Sequence, residues 1–431
     1  MHAQVEAVRT PRIAGADAGV RPVAFAAVCL AAMLVLAIKY YPLRPTTFVL
    51  GQYLWTLEVG NIRRTVVSTL AGLAWGHDPA RFLPVVDLVS LVEMAGLAVA
   101  LAWGALRLAG RPVARLALLL VLCSGAASHL LATRGSQDGF AVLVLVGFAA
   151  ALHARHALAA ALLGALAVAV HEASIVYILS LCGLHLLLSD VGPRTGWREM
   201  AWRFADPDIR PTLAGAGAAA AMVVAVMAGT HLPAALVDEV CRANAWIASA
   251  GSLDTVRNVP AETRAQDWAE SCGLQFKAFA STPGFVLRSV PIGALFAPVA
   301  LVALALTLRA RLTATLRLGI AASLFLPALL PFVATDVTRF WSYMNLTALY
   351  AVVLLEPHLQ GFGRVSPRAL VGGVLALWTL VAIGIDQWPT GWPQPPSALP
   401  EAVALRLPTF RDALCAASQR GVCGRPVTDF R

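Results

Sequence analysis

Residues 157–173 read ALAAALLGALAVAVHEA. From Ala157 to Val170 the run is wholly apolar, and His171-Glu172 closes it. A helix of that composition has no wet face, so soluble-core patterning does not describe it. Inside a bilayer, lipid-facing and bundle-facing surfaces are both apolar, and a helix satisfies its own backbone. The His-Glu pair at the end of such a run is costly unless it is paired or opens on water.

The rest of the chain has the same character. Of its 431 residues, 58% are hydrophobic and 13% charged, against about 25% charged in a soluble domain. Mean hydropathy is +0.72. The expected fold is an all-α integral membrane protein. Runs near the ~20 residues needed to span a bilayer centre on 23–39, 83–106, 114–132, 139–154, 157–172, 174–189, 211–230, 290–308, 318–335, 340–356 and 369–386. That makes about eleven transmembrane helices within a polytopic domain at 23–386.

Charge orients them. Arg107, Arg111 and Arg115, then Arg155, then Arg194, Arg198, Arg203 and Arg210, then Arg309, Arg311 and Arg317, then Arg364 and Arg368 all fall in loops on one side. The positive-inside rule makes that side cytoplasmic. Residues 1–22 are then cytoplasmic and the tail 387–431 is outside. The first run, Val23 to Ile38, leads into Lys39-Tyr40-Tyr41-Pro42 rather than a small-residue cleavage site, and reads as a retained helix.

Cysteines give a separate line of reasoning. Cys29, Cys123 and Cys182 lie in spans, whereas Cys241, Cys272, Cys415 and Cys423 all fall outside. Disulfides persist in oxidising compartments such as the periplasm. Cys241–Cys272 and Cys415–Cys423 are the preferred pairs among three possible connectivities. Three outer segments exceed a turn, one being the tail, with Pro389, Pro393, Pro395 and Pro396 and then a short helix-like run, Glu401 to Ala417. Residues 40–82 read as one or two interfacial helices, and 231–289 as a small helical cap stapled by its disulfide. The Ala/Arg/Leu bias points to the inner membrane of a high-GC bacterium. The net charge of +9 is spread through loops, with Lys39 and Lys277 the only lysines, so nucleic acid is not an expected partner.

Four polar clusters gather on the outer side: Glu58 with Arg63 and Arg64; Arg134 with Gln137 and Asp138; His171 with Glu172; and Asp336 with Arg339. Paired arginines beside a membrane suit a phosphate or pyrophosphate through their forked donors, and equally suit anionic headgroups. The turn Thr133-Arg-Gly-Ser-Gln-Asp-Gly needs Gly and polar residues in any case, but nothing in a turn requires Arg134 and Asp138. His171 has the chemistry of an acid or base, with Glu172 setting its charge. The bland alternative is a simple cap between two short helices. Asp336 and Arg339, three apart, also fit an intrahelical ion pair. Asp87 and Glu93 lie in the second span, six apart, so at least one should face the bundle. Position 175 is Ile175, so the zinc pattern HExxH is absent. No metal or other cofactor is called for.

These clusters resemble bacterial polytopic envelope proteins that use polyprenyl-linked sugars: GT-C-type glycosyltransferases and the Wzy- or EpsG-like polysaccharide polymerases. The likeness rests on Gly60-Asn-Ile-Arg63-Arg64, Arg134 at a span start, His171-Glu172, and Asp336-x-x-Arg339. It implies glycosyl transfer at the periplasmic face, with a polyprenyl-pyrophosphate-linked sugar as substrate. Arg63, Arg64, Arg134 and Arg339 would hold the pyrophosphate, and an acid or histidine among Glu58, Asp138, His171, Glu172 and Asp336 would deprotonate the acceptor. GT-C enzymes carry an Asp soon after the first span. Lys39 to Trp55 has no acid, which favours a polymerase-like or divergent member. Two other classes fit the composition: a transporter or flippase for a lipid-linked or anionic solute, and a non-catalytic scaffold in an envelope-assembly complex.

Overall fold

The computed structural model describes residues 22–40, 47–57, 65–76, 78–132, 135–189, 209–229, 233–247, 272, 297–332 and 337–359. Every regular element among them is helical. The order is Pro22–Tyr40 (α1), Thr47–Gln52 (α2), Thr65–Trp75 (α3), Pro79–Arg107 (α4), Pro112–Cys123 (α5), Gly125–Ala132 (α6), Gln137–His153 (α7), Ala157–Val170 (α8), Ser174–Leu188 (α9), Arg210–Ala228 (α10), Ala234–Ala243 (α11), Pro298–Arg309 (α12), Ala314–Phe325 (α13) and Val337–Leu355 (α14). Short 3-10 segments, Leu326–Phe332 and Glu356–His358, follow α13 and α14.

Two helices are long and apolar enough to cross a membrane: α4, with 29 residues, and α10, with 19. Most others are apolar but shorter. The helix α4 owes its length to firm ends. Asp78 caps it, accepting from Ala80 N at 3.0 Å, and Pro79 fits the first turn. Arg107 at the last turn complements the dipole.

Two expected spans are broken. The run 114–132 divides at Ser124, whose Oγ donates to Val121 O at 2.7 Å and accepts from Ala126 N at 3.2 Å. One hydroxyl thereby ends α5 and starts α6, at a Ser-Gly pair of the kind that kinks helices. The run 318–335 tightens into a 3-10 segment after Phe325, where Pro327 and Pro331 remove backbone donors. The span expected at 369–386 lies outside the described residues.

Packing falls into two main clusters. The larger runs through α5, α7, α8, α9, α10, α12, α13 and α14. Its tightest seam joins α8 to α10. A Cβ at Gly164 would stand 2.7 Å from Gly215 O, so only glycine lets these backbones meet. Large apolar side chains on the bundle's outer faces are bare: Leu158 is 74% exposed and Leu318 72%.

The second cluster builds a roof at one end. Tyr53, Trp55, Trp75, Phe82 and Ile247 pack with Val170 and Ala141 from the tops of α8 and α7. Phe82 is the hub, edge-on to Trp75 at 5.0 Å, Trp246 at 5.3 Å and Tyr53 at 6.3 Å. Cys241 and Cys272 are disulfide-bonded, with Cα atoms 5.9 Å apart, and both belong to this roof. The preferred pairing of these two is thus the one present. Cys415 and Cys423 lie outside the described residues.

Candidate functional site

The ends of α6 and α8 and the starts of α7, α9 and α14 lie together under this roof. The hydroxyl of Tyr177, at the start of α9, donates to Phe340 O at 3.1 Å, which ties α9 to the first turn of α14. The helix α8 has 14 residues, about 21 Å at 1.5 Å per residue, and so falls short of a ~30 Å hydrocarbon core. The helix α4 extends about 43 Å over its 29 residues. Glu93 sits at its middle, level with the end of α8. The site therefore lies against the half of α4 that runs from Pro79 to Glu93.

The turn into α7 is fixed by its backbone. Gly135 has φ +77°, and a Cβ there would meet Ser90 Oγ at 2.6 Å. Its amide donates to Glu93 Oε2 at 2.9 Å, and its carbonyl accepts the Tyr53 hydroxyl. Ser136 then caps α7, accepting from Asp138 N at 3.3 Å. Asp138 in the first turn suits the helix dipole. A Cβ at Gly139 would collide with the Glu93 carboxylate. The two glycines of Gly135-Ser-Gln-Asp-Gly139 therefore make room for Glu93 as well as turning the chain. Burial, with the negative charge of Glu93 adding to it, pushes the Tyr53 hydroxyl pKa up, so the phenol stays a donor.

His171 ends α8 in extended conformation. Its Nδ1 accepts from Ala173 N at 3.2 Å, so in the neutral ring the proton is on Nε2. Nε2 faces Asp138 Oδ1 at 3.6 Å, and Glu172 Oε2 lies 3.8 Å from Nδ1. Glu93 and Asp138 are 1% exposed and His171 2%. Glu172, with 22% of its side chain exposed, is the open edge of the group. Three acids and a histidine thus share one buried neighbourhood, where solvation is replaced by backbone donors and by one another.

Of the residues expected from sequence, the structure brings together Asp138, His171 and Glu172. Arg339 lies in the first turn of α14, at the same end of the bundle. Glu58, Arg63, Arg64, Arg134 and Asp336 lie outside the described residues. Glu93 faces the bundle, as at least one of the α4 acids should, and accepts from the Gly135 amide. Asp87 is only half-buried. Tyr53 and the room-making role of the two glycines left no separate mark in the sequence, because Gly in a turn explains itself.

Comparison with protein-family models, with curated proteins and with solved structures finds no match. Geometry alone carries the functional reading.

Proposed function

We propose that this chain is a polytopic inner-membrane glycosyltransferase or polysaccharide polymerase acting on polyprenyl-pyrophosphate-linked sugars at the periplasmic face. The observation that carries this reading is the buried His171–Asp138 pair, 3.6 Å apart, beside Glu93 and under an aromatic, disulfide-stapled roof. Glycosyl transfer needs a base for the acceptor hydroxyl and cations for the leaving pyrophosphate. Asp138 is the base. His171, with Nε2–H turned toward Asp138, positions it, and Glu172 receives the acceptor at the open edge. Arg63, Arg64, Arg134 and Arg339 hold the pyrophosphate. The roof disulfide supports an oxidising compartment on this side, and the bare apolar faces of the helices support a bilayer around them.

Translocation of a lipid-linked or anionic solute is the second reading. The break at Ser124 and the buried acid in the middle of α4 favour it, since carriers use interrupted helices and mid-membrane polar groups. Surface-glycan profiling of a deletion strain separates the two. The strain is complemented with wild type, Asp138→Asn or His171→Gln, and variant levels in the membrane are matched. The enzyme reading predicts loss of the long-chain or modified glycan, with transfer by purified protein in proteoliposomes down about 10²- to 10⁴-fold. An unchanged glycan in the deletion strain itself overturns it. No glycosyl transfer by the wild-type protein in proteoliposomes, with the substrate moved between leaflets by wild type and trapped on one leaflet by the variants, assigns the site to translocation.

A further inference from the structure

The roof reaches the buried acid pair through one hydroxyl. Tyr53 follows α2, where its own amide donates to Leu50 O at 3.1 Å. The residue is 1% exposed, and its ring lies edge-on to Phe82 with centroids 6.3 Å apart. Its hydroxyl donates to the carbonyl of Gly135, 82 residues away in the chain. The amide of the same glycine donates to Glu93 Oε2 at 2.9 Å. Gly135 is thus gripped from both sides, its carbonyl by the roof and its amide by α4.

The grip falls where the backbone is least restrained by itself. Gly135 has φ +77°, and a glycine moves into and out of that region at little steric cost. Three residues on is Asp138, in the first turn of α7. The cap between them, from Asp138 N to Ser136 Oγ, is 3.3 Å long, beyond the usual N–H···O range. Asp138 Oδ1 faces His171 Nε2 at 3.6 Å, also beyond direct hydrogen-bond distance. A pair spaced in this way keeps its geometry only if both backbones are held. The His171 backbone is held by α8, its amide donating to Ala167 O at 2.9 Å. The Asp138 backbone depends on the turn at Gly135. A phenol suits the task. It stays protonated beside Glu93, so it donates without adding a charge that would draw the Glu93 carboxylate off the Gly135 amide.

We propose that Tyr53 is a positioning residue. It holds the Gly135 carbonyl so that Asp138 stays in register with His171, and it thereby ties the roof to the acid pair. The use of that register in proton abstraction rests on the glycosyl-transfer reading, whereas the positioning itself does not.

The test uses the full chain in nanodiscs with ¹⁵N-labelled histidine. Wild type is compared with Tyr53→Phe, Ser68→Ala and His171→Gln. Tyr53→Phe keeps the ring against Phe82 and removes the donor. Ser68→Ala removes another buried donor near the roof, the hydroxyl that donates to Trp55 O at 2.6 Å, and controls for lost stability. The signals missing from His171→Gln identify the His171 ring nitrogens. Tyr53→Phe should shift and broaden the His171 Nε2 resonance, and Ser68→Ala should leave it as in wild type. In proteoliposomes Tyr53→Phe should lower kcat about 10- to 100-fold with KM within about twofold. An unmoved His171 resonance in Tyr53→Phe overturns the proposal whatever the activity, and so does an equal shift in Ser68→Ala. A shift confined to Tyr53→Phe, with no transfer by wild type, supports the positioning and overturns the glycosyl-transfer reading. The same shift with wild-type kcat supports the positioning and overturns Asp138 as the base.

Discussion

The two ends of the helix bundle are built from opposite chemistries. One end gathers Glu93, Asp138, His171 and Glu172 under an aromatic roof, and its glycines exist so that a carboxylate can reach a backbone amide. The other gathers Arg111, Arg155 and three histidines around an open cavity, with the Glu356 carboxylate near Arg111 and capping a helix start. At the first end the protein buries charge and solvates it with its own backbone. At the second, Arg155 is exposed and Arg111 half-buried, with Arg111 donating to the Val353 carbonyl. Burying that much charge costs stability unless each group is paired and hydrogen-bonded, whereas exposed arginines at the other end need only face water. The acidic end is therefore where the proposed glycosyl transfer is placed.

That contrast can be broken one end at a time. The largest effect on stability is expected from Gly139→Ala. Its methyl group would displace the Glu93 carboxylate and leave the Gly135 amide without it, at a cost of about 3–5 kcal/mol. Thermal unfolding in nanodiscs would read the loss. A smaller effect should follow from Cys241→Ser with Cys272→Ser. Opening a loop with a sequence separation of 31 residues costs about 2–4 kcal/mol. Limited proteolysis should then cut within 231–289 first, and reducing agent should lower the wild-type melting temperature to that of the variant. The smallest effect belongs to the basic end. Glu356→Ala removes the cap of α5 and should cost about 1 kcal/mol, with Glu356→Gln recovering part of it. A loss there larger than that from Gly139→Ala would reverse the comparison.

Much of this architecture is legible in the sequence. The apolar run before His171 announces a helix ending in a polar pair, and the arginine loops predict that the ends differ in charge. What stayed hidden has physical reasons. Whether 114–132 is one helix or two depends on the rotamer of Ser124, and hydropathy is blind to a hydroxyl that caps in both directions. The sequence indicates that one of Asp87 and Glu93 faces the bundle but does not indicate which. A backbone amide offered by a turn 42 residues away has no sequence signature. The close approach of Gly164 to Gly215 is equally silent, since glycine within an alanine-rich run looks like composition. The rings around Phe82 of α4 come from the segment after α2, from α3 and from the segment after α11, so the roof becomes visible only once those pieces are packed.

The most direct test is whether the two ends face different compartments. Among the described residues the free cysteines Cys29, Cys123 and Cys182 are buried, and the test is made in a Cys415→Ser, Cys423→Ser background so that labelling from the tail is absent. Arg81→Cys places a thiol at the acidic end, where the native side chain is 71% exposed. His156→Cys places one on an exposed position at the basic end. With a membrane-impermeant maleimide, Arg81→Cys should label in intact spheroplasts, and His156→Cys only after the membrane is opened. Labelling of both in intact spheroplasts, or the reverse order, would contradict the account.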